Sequence, residues 1–96
     1  MRPSQLLDAH RAAVRETALR HRVREVKVFG SVIHGDDVDG SDLDVLVEPT
    51  ADTTLMDIAA IQVELERLLG ISVDVLTPNA LPDKFRRQVM AEAQPV

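Results

Sequence analysis

Residues 23–48 read VREVKVFGSVIHGDDVDGSDLDVLVE, and the fold is decided in this stretch. From Val23 to Phe29, Val26 and Val28 alternate with Glu25 and Lys27, the period-two pattern of a half-buried strand. The alternation returns from Asp42 to Glu48. There Leu43, Val45 and Val47 share one face, while Asp42, Asp44 and Leu46 share the other. Gly30 to Ser41, rich in Gly and Asp, reads as the loop between the two strands. Pro49 ends the second strand.

Upstream, Ser4 is placed to cap a helix running to about Arg22, with Leu6, Leu7, His10, Val14, Ala18 and His21 near one stripe. Downstream, Asp52 to Thr54 offer caps for a second helix ending at Leu69. Leu55, Ile58, Ala59, Ile61, Leu65, Leu68 and Leu69 form its broad apolar face, and Gly70 sits at the C-terminal cap position. Ile71 to Leu76 is a third strand, with Ile71, Val73 and Val75 on one face and Ser72, Asp74 and Leu76 on the other. A last helix starts near Leu81 or Pro82 and runs to about Glu92, burying Phe85, Val89 and Met90. The order is α-β-β-α-β-α, one α+β or α/β domain over residues 1–96.

The chemistry gathers on the polar faces of these strands. Asp42 and Asp44 lie two apart, so their side chains leave the same face with bases roughly 6.5–7 Å apart. Their oxygens can converge on one or two hard cations, because Mg²⁺ prefers a few carboxylates completed by phosphate oxygens and water. Asp74 interrupts an otherwise apolar strand, where an aspartate is disfavoured by propensity and a buried unpaired charge is costly. If the third strand lies beside the second, Asp74 reaches the same ions. Two cations about 3.5–4 Å apart can clamp an in-line phosphoryl displacement. Gly30 and Ser31 directly follow the first strand. Gly30 permits close backbone approach, and the turn's N–H groups with the Ser31 hydroxyl make a cradle for phosphate.

Val28-Phe29-Gly30-Ser31, a spacer, then Ser41-Asp42-Leu43-Asp44-Val45-Leu46-Val47 resembles the Gly-Ser … Asp-x-Asp signature of the DNA polymerase beta-like nucleotidyltransferases. More narrowly, it resembles the minimal nucleotidyltransferases of prokaryotic toxin–antitoxin pairs. Val73-Asp74-Val75 fits that family's third carboxylate, and Thr77 to Leu81 with the short basic helix after it fits its C-terminal end. The resemblance implies an α+β, sandwich-like fold with a short mixed sheet flanked by helices. It implies that Asp42 and Asp44 hold two Mg²⁺ ions, that Asp74 joins them and helps activate an acceptor hydroxyl, and that Gly30 and Ser31 bind ATP phosphates. AMP then passes to a protein hydroxyl, with pyrophosphate leaving. Members of this group often pair with a helical HEPN-domain ribonuclease toxin, which they neutralise by adenylylating a tyrosine or by binding it. One position departs from the pattern. Where many members carry Arg in a Gly-Ser-x-x-Arg-Gly loop, this chain has His34, which is not a permanent cation; the resemblance makes it the third nucleotide-binding residue, with Gly30 and Ser31, as a partial substitute for that phosphate-facing Arg.

The bulk properties fit. Eleven Lys and Arg against sixteen Asp and Glu give a net charge of −5, contrary to the basic face that sequence-independent nucleic-acid binding needs. With two Phe and no Trp or Tyr, the chain has few rings for base stacking. Cysteine is absent, and no apolar run approaches the length of a signal core or a membrane span. The expectation is a cytoplasmic protein that does not engage a membrane.

Asp36, Asp37 and Asp39 do not form a calcium loop. Counting from Asp37 puts Glu48 at the twelfth position, but Asp42 rather than Gly at the sixth. They read as a solvated acidic loop, and Arg86 and Arg87 as a solvated helix face. Three functions follow: an antitoxin that adenylylates its toxin, an antitoxin that occludes its toxin without chemistry, and a transferase acting on a small molecule or an RNA end.

Overall fold

The computed structural model describes residues 1–96. Helices α1 (Pro3–Ala9) and α2 (Arg11–Leu19) precede strand β1 (Val23–Phe29), a one-turn helix α3 (Ser31–His34) and strand β2 (Leu43–Pro49). Helix α4 (Leu55–Leu69), strand β3 (Val73–Leu76), a 3₁₀ turn at Pro78–Ala80, helix α5 (Asp83–Glu92) and strand β4 (Gln94–Pro95) complete the chain.

The strands form one mixed sheet in the order β3-β2-β1-β4. β1 runs antiparallel to both β2 and β4, and β2 runs parallel to β3. A parallel neighbour requires a crossover, and α4 provides it. The expected short mixed sheet flanked by helices is therefore present.

The strand parities sort the sheet into two faces. Val26, Val28, Leu43, Val45, Val47, Val73 and Val75 pack with Leu7, Val14, Ala18, Ile61, Leu65 and Leu69 into an aliphatic core. This face lies under α1, α2 and α4. On the opposite face Phe29, Leu46 and Leu81 form a smaller cluster joined by Leu76, Val89 and Ala93. α5 hangs over part of that face, and the remainder carries the aspartates.

α4 is the best specified element. Thr54 is its N-cap, with its Oγ1 accepting from the Asp57 N–H (3.2 Å) while Asp57 Oδ2 accepts from the Thr54 N–H (2.9 Å). Gly70 closes it in the left-handed conformation that favours glycine, its N–H bonding Glu66 O.

Several sequence expectations are corrected. The first helix is two helices, because His10 leaves the helical region (φ −130°, ψ 23°). Ser4 does not cap it. Arg2 is the cap residue, and the Ser4 N–H instead donates to Asp37 Oδ2 at 2.8 Å. Asp37 is thus no solvated loop residue: only 3 % of it is exposed, and it satisfies a free donor of α1 from a distant loop. The 30–41 loop contains α3. β2 begins at Leu43, leaving Asp42 just ahead of it, and β3 begins at Val73 rather than Ile71.

α5 buries no residue fully. Phe85 and Met90, expected inside, are 48 % and 41 % exposed, because the helix covers only the edge of a small cluster. Leu55, at the first turn of α4, projects past the core into solvent, and Leu68 is part-exposed. Arg86 is no free surface cation. Its guanidinium donates to Pro78 O (2.9 Å), Leu81 O (2.9 Å) and Asp83 Oδ1 (2.6 Å), tying α5 to the turn before it. His21, just past the end of α2, pairs with Glu64 on α4.

Candidate nucleotide and metal site

The parallel register of β2 and β3 sets Asp44 directly beside Asp74, and the antiparallel register of β1 sets Phe29 beside Asp44. Residues at the same register in neighbouring strands project from the same face. Three chain segments therefore meet at one edge of the open face: the end of β1 with Gly30, the start of β2 with Asp42 and Asp44, and Asp74 on β3.

Asp44 is half-buried, whereas Asp42 and Asp74 are exposed. Desolvation raises the Asp44 carboxyl above its ordinary pKa, and the charges of Asp74 and then Asp42 raise it further. The three carboxylates are thus close enough to feel one another. None of them takes part in a side-chain hydrogen bond or an ion pair within the chain. The chain has assembled negative charge without supplying a counter-charge.

Gly30 is fitted to this arrangement. Its backbone (φ 76°, ψ −140°) lies in a region that side-chain-bearing residues rarely adopt, and a Cβ there would collide with Asp44 Oδ2. Gly30 also begins α3, accepting at its carbonyl from Ile33 N–H (3.0 Å) and His34 N–H (3.3 Å). The first N–H groups of a helix have no intrahelical acceptor, and here they belong to Ser31 and Val32, which directly follow Gly30.

His34 is drawn elsewhere. Its Nε2 lies 2.7 Å from Glu92 Oε2 on α5, so the imidazole bridges α3 to the last helix. That contact holds the Glu92 carboxyl below the usual carboxylate range. Gln88 Nε2 donates to the other Glu92 oxygen at 3.3 Å.

No three Asp, Glu, His or Cys side chains close around a common point as a ready-made metal cage. The donor set nonetheless fits Mg²⁺. That ion takes one or two carboxylates and draws its other ligands from water and phosphate, so it needs no complete protein cage. A half-desolvated carboxylate with two like-charged neighbours and no internal cation is stabilised by such an ion.

Sequence reasoning placed Gly30, Ser31, Asp42, Asp44 and Asp74 around one edge, and the fold brings them together. It missed Glu92 because its partner, His34, lies 58 residues away, and with it Gln88, which bonds Glu92. The two residues sit one turn apart on the helix that overhangs the site, a signal that becomes readable only once α5 is placed.

The sequence profile of the polymerase beta, nucleotidyltransferase family matches residues 13–96. A Methanocaldococcus jannaschii protein named as a candidate protein adenylyltransferase is 36% identical over 75 residues, covering 78% of this chain and 81% of that protein. Protein adenylyltransferase MntA of Thermococcus cleftensis is 34% identical over 87 residues, covering 91% and 85%. A solved structure described as a candidate minimal nucleotidyltransferase superposes with a TM-score of 0.85 at 41% identity, covering 97% of this chain and 95% of that one. A toxin–antitoxin crystal structure with AMP-PNP shares the fold, with a TM-score of 0.70 at 17% identity over 83% of this chain and 66% of that one. No helix of this chain is long and apolar enough to cross a membrane.

Proposed function

The chain belongs to the polymerase beta, nucleotidyltransferase family, and is a nucleotidyltransferase; from that membership we propose that it is the antitoxin of a toxin–antitoxin pair and transfers AMP from ATP to a hydroxyl of its toxin. The acceptor in this reading is a tyrosine of a HEPN-domain ribonuclease, and the antitoxin and toxin form a hetero-oligomer. The relatives named as protein adenylyltransferases support the choice of a protein acceptor. The observation that carries the chemistry is the register of Asp44 beside Asp74, with Asp42 within electrostatic reach and no internal counter-ion.

In this mechanism Asp42 and Asp44, with Asp74 beside them, are the residues that would hold Mg²⁺, one or two ions. When bound, Mg²⁺ supplies charge neutralisation of the phosphates and of the leaving group. The N–H groups of Ser31 and Val32 and the Ser31 hydroxyl orient the triphosphate, while Gly30 lets it approach the backbone. Asp74 accepts the proton of the acceptor hydroxyl. The acceptor oxygen bonds to the α-phosphorus, the bond from that phosphorus to the bridging oxygen breaks, and pyrophosphate leaves.

The test is Mg-dependent transfer of labelled AMP from ATP to a HEPN-domain protein that the chain binds. Transfer should fall by at least a hundredfold in Asp42→Ala with Asp44→Ala. Undiminished transfer by that variant would sink the mechanism.

A second reading rests on His34. Its pairing with Glu92 leaves the phosphate turn without the cation that many relatives carry there, which suits an antitoxin acting by occlusion alone. It requires the aspartate variant to bind and neutralise the toxin as well as the natural chain does. Binding retained with neutralisation lost would exclude it.

A further inference from the structure

Between the open sheet face and α5 lies a cavity of about 360 Å³. It falls in the roughly 300–1,000 Å³ range of small-molecule sites. Phe29, Leu76, Leu81, Phe85 and Val89 supply its apolar walls, while Gly30, His34, Gln88 and Glu92 line it from the α3 side and along α5. It is therefore continuous with the phosphate turn through Gly30, and one strand position from Asp44 through Phe29. An apolar cavity opening onto an anion-binding turn suits a ligand with a flat apolar body joined to phosphates.

The polar groups here are few, and their roles are fixed by one another. Glu92 accepts at Oε2 from His34 and at Oε1 from Gln88 Nε2. Glu92 is held ionised by these contacts, so it only accepts, and the Gln88 amide must turn its NH₂ toward it. The Gln88 carbonyl Oε1 is then left without a partner in the chain, on a residue that lines the cavity.

The geometry points to this cavity as the seat of the donor nucleobase, with Gln88 Oε1 selecting a base that carries an exocyclic amino group. This rests on the nucleotidyltransfer reading above. The His34–Glu92 pair acquires a role in it: it fixes the amide that reads the base. An aminopurine offers its N–H to Oε1, whereas an oxo-purine such as hypoxanthine offers a carbonyl and leaves two acceptors facing each other. Gln88 is a specificity residue in this account and does not touch the reacting phosphorus.

The experiment measures calorimetric Kd values of the whole chain for three Mg²⁺ complexes: ATP, inosine triphosphate and inorganic tripolyphosphate. ATP should bind about five- to tenfold more tightly than inosine triphosphate, the scale of one net hydrogen bond. Gln88→Ala, at an exposed position, should erase that preference. Val89→Phe, which fills the cavity, should weaken both nucleotides on the order of tenfold by steric exclusion. Neither change should alter tripolyphosphate binding.

Equal binding of ATP and inosine triphosphate by the natural chain overturns the proposal. So does a Val89→Phe chain that keeps tripolyphosphate and binds ATP undiminished. If Val89→Phe loses tripolyphosphate too, its fold has failed and Gln88→Ala alone decides. If the natural chain binds tripolyphosphate but base identity is without effect, the site reading stands and this inference falls. If none of the three ligands binds, both fall.

Discussion

Gly30 has no side chain where Asp44 has one: the carboxylate oxygen Oδ2 occupies the space that a Cβ on Gly30 would need. Gly30 directly follows β1 and Asp44 lies on β2, so the Gly30–Ser31 turn and the carboxylate cluster are built against one another. Gly30→Ala should therefore do two things. Its backbone conformation costs about 1–3 kcal/mol with a side chain, or at least a few degrees of Tm. It should also lower AMP transfer at least tenfold, because Asp44 must move. Gly35 is the internal control. Its φ is also positive (74°), but nothing lies within 4 Å of the added Cβ. Gly35→Ala should lose about 1–2 kcal/mol and keep its transfer rate per folded molecule. Equal loss of activity in both variants would show that Asp44 is not the element at stake.

Asp44 also predicts a pH dependence. Its pKa in the fold is raised by desolvation and by the charges of Asp74 and Asp42. A carboxyl so raised binds its proton more tightly folded than unfolded. Its contribution to stability is fully present below the unfolded pKa, about 3.9, and is lost as pH rises through the folded value. Asp44→Asn should therefore raise Tm at neutral pH in the absence of metal, and the gain should vanish toward pH 3.5, a point set by the same reference value. The variant should also lose Mg-dependent transfer. A Tm gain independent of pH would refute the assignment.

Asp37 predicts the opposite sign. Its pKa is lowered, chiefly by the Ser4 N–H. Stability from such a group is present above the unfolded pKa and lost as pH falls through the folded one. Asp37→Ala should lower Tm at neutral pH, and the gap from the natural chain should close on acidification through and below the usual carboxylate range. Asp37→Asn, which keeps an acceptor, should fall between the two. Denaturation curves at several pH values decide it.

The core predicts a clean separation of stability from chemistry. Leu65 is fully buried beneath the sheet, on the face away from the aspartates. Leu65→Ala should cost about 2–5 kcal/mol, a large share of a small domain's total. Below its lowered Tm, transfer per folded molecule should stay within about twofold, since one turnover difference of that size is well under 1 kcal/mol.

Ligand linkage gives a test that needs no mutation. Mg²⁺ with ATP at a hundredfold excess over Kd should add about 2.7 kcal/mol to the unfolding free energy. Chelation should remove the gain if the phosphates are held chiefly through the metal. A Tm gain surviving chelation would point to a metal-independent nucleotide contact.

How much of this was legible in the sequence follows from the range of each interaction. The strand parities at Leu43, Val45 and Val47 were readable because a two-residue period is local, and so was the Thr54 cap with Gly70 closing the helix. Asp44 and Asp74 could be paired once the third strand was set beside the second. The Asp37–Ser4 bond spans 33 residues and joins a loop to a helix start, so no local pattern announces it. The two-residue β4 is too short to show a period, and its pairing to Lys27 and Val28 is set by where α5 ends. Phe85 and Met90 looked like core because they flank Val89 in an apolar pattern, but Phe85 lines the open cavity and both remain well exposed.

The crossover through α4 has a consequence for how activity can be lost. Asp44 and Asp74 stand together in register, although the whole of α4 separates them along the chain. Their neighbourhood is created by docking that helix under the sheet, and no partly ordered chain holds it. Loss of the carboxylate pair on warming should therefore coincide with release of α4 from its apolar bed. The carboxylate pair doubles as a gauge of tertiary order: a chain that holds it has closed the loop that runs from β2 through α4 to β3.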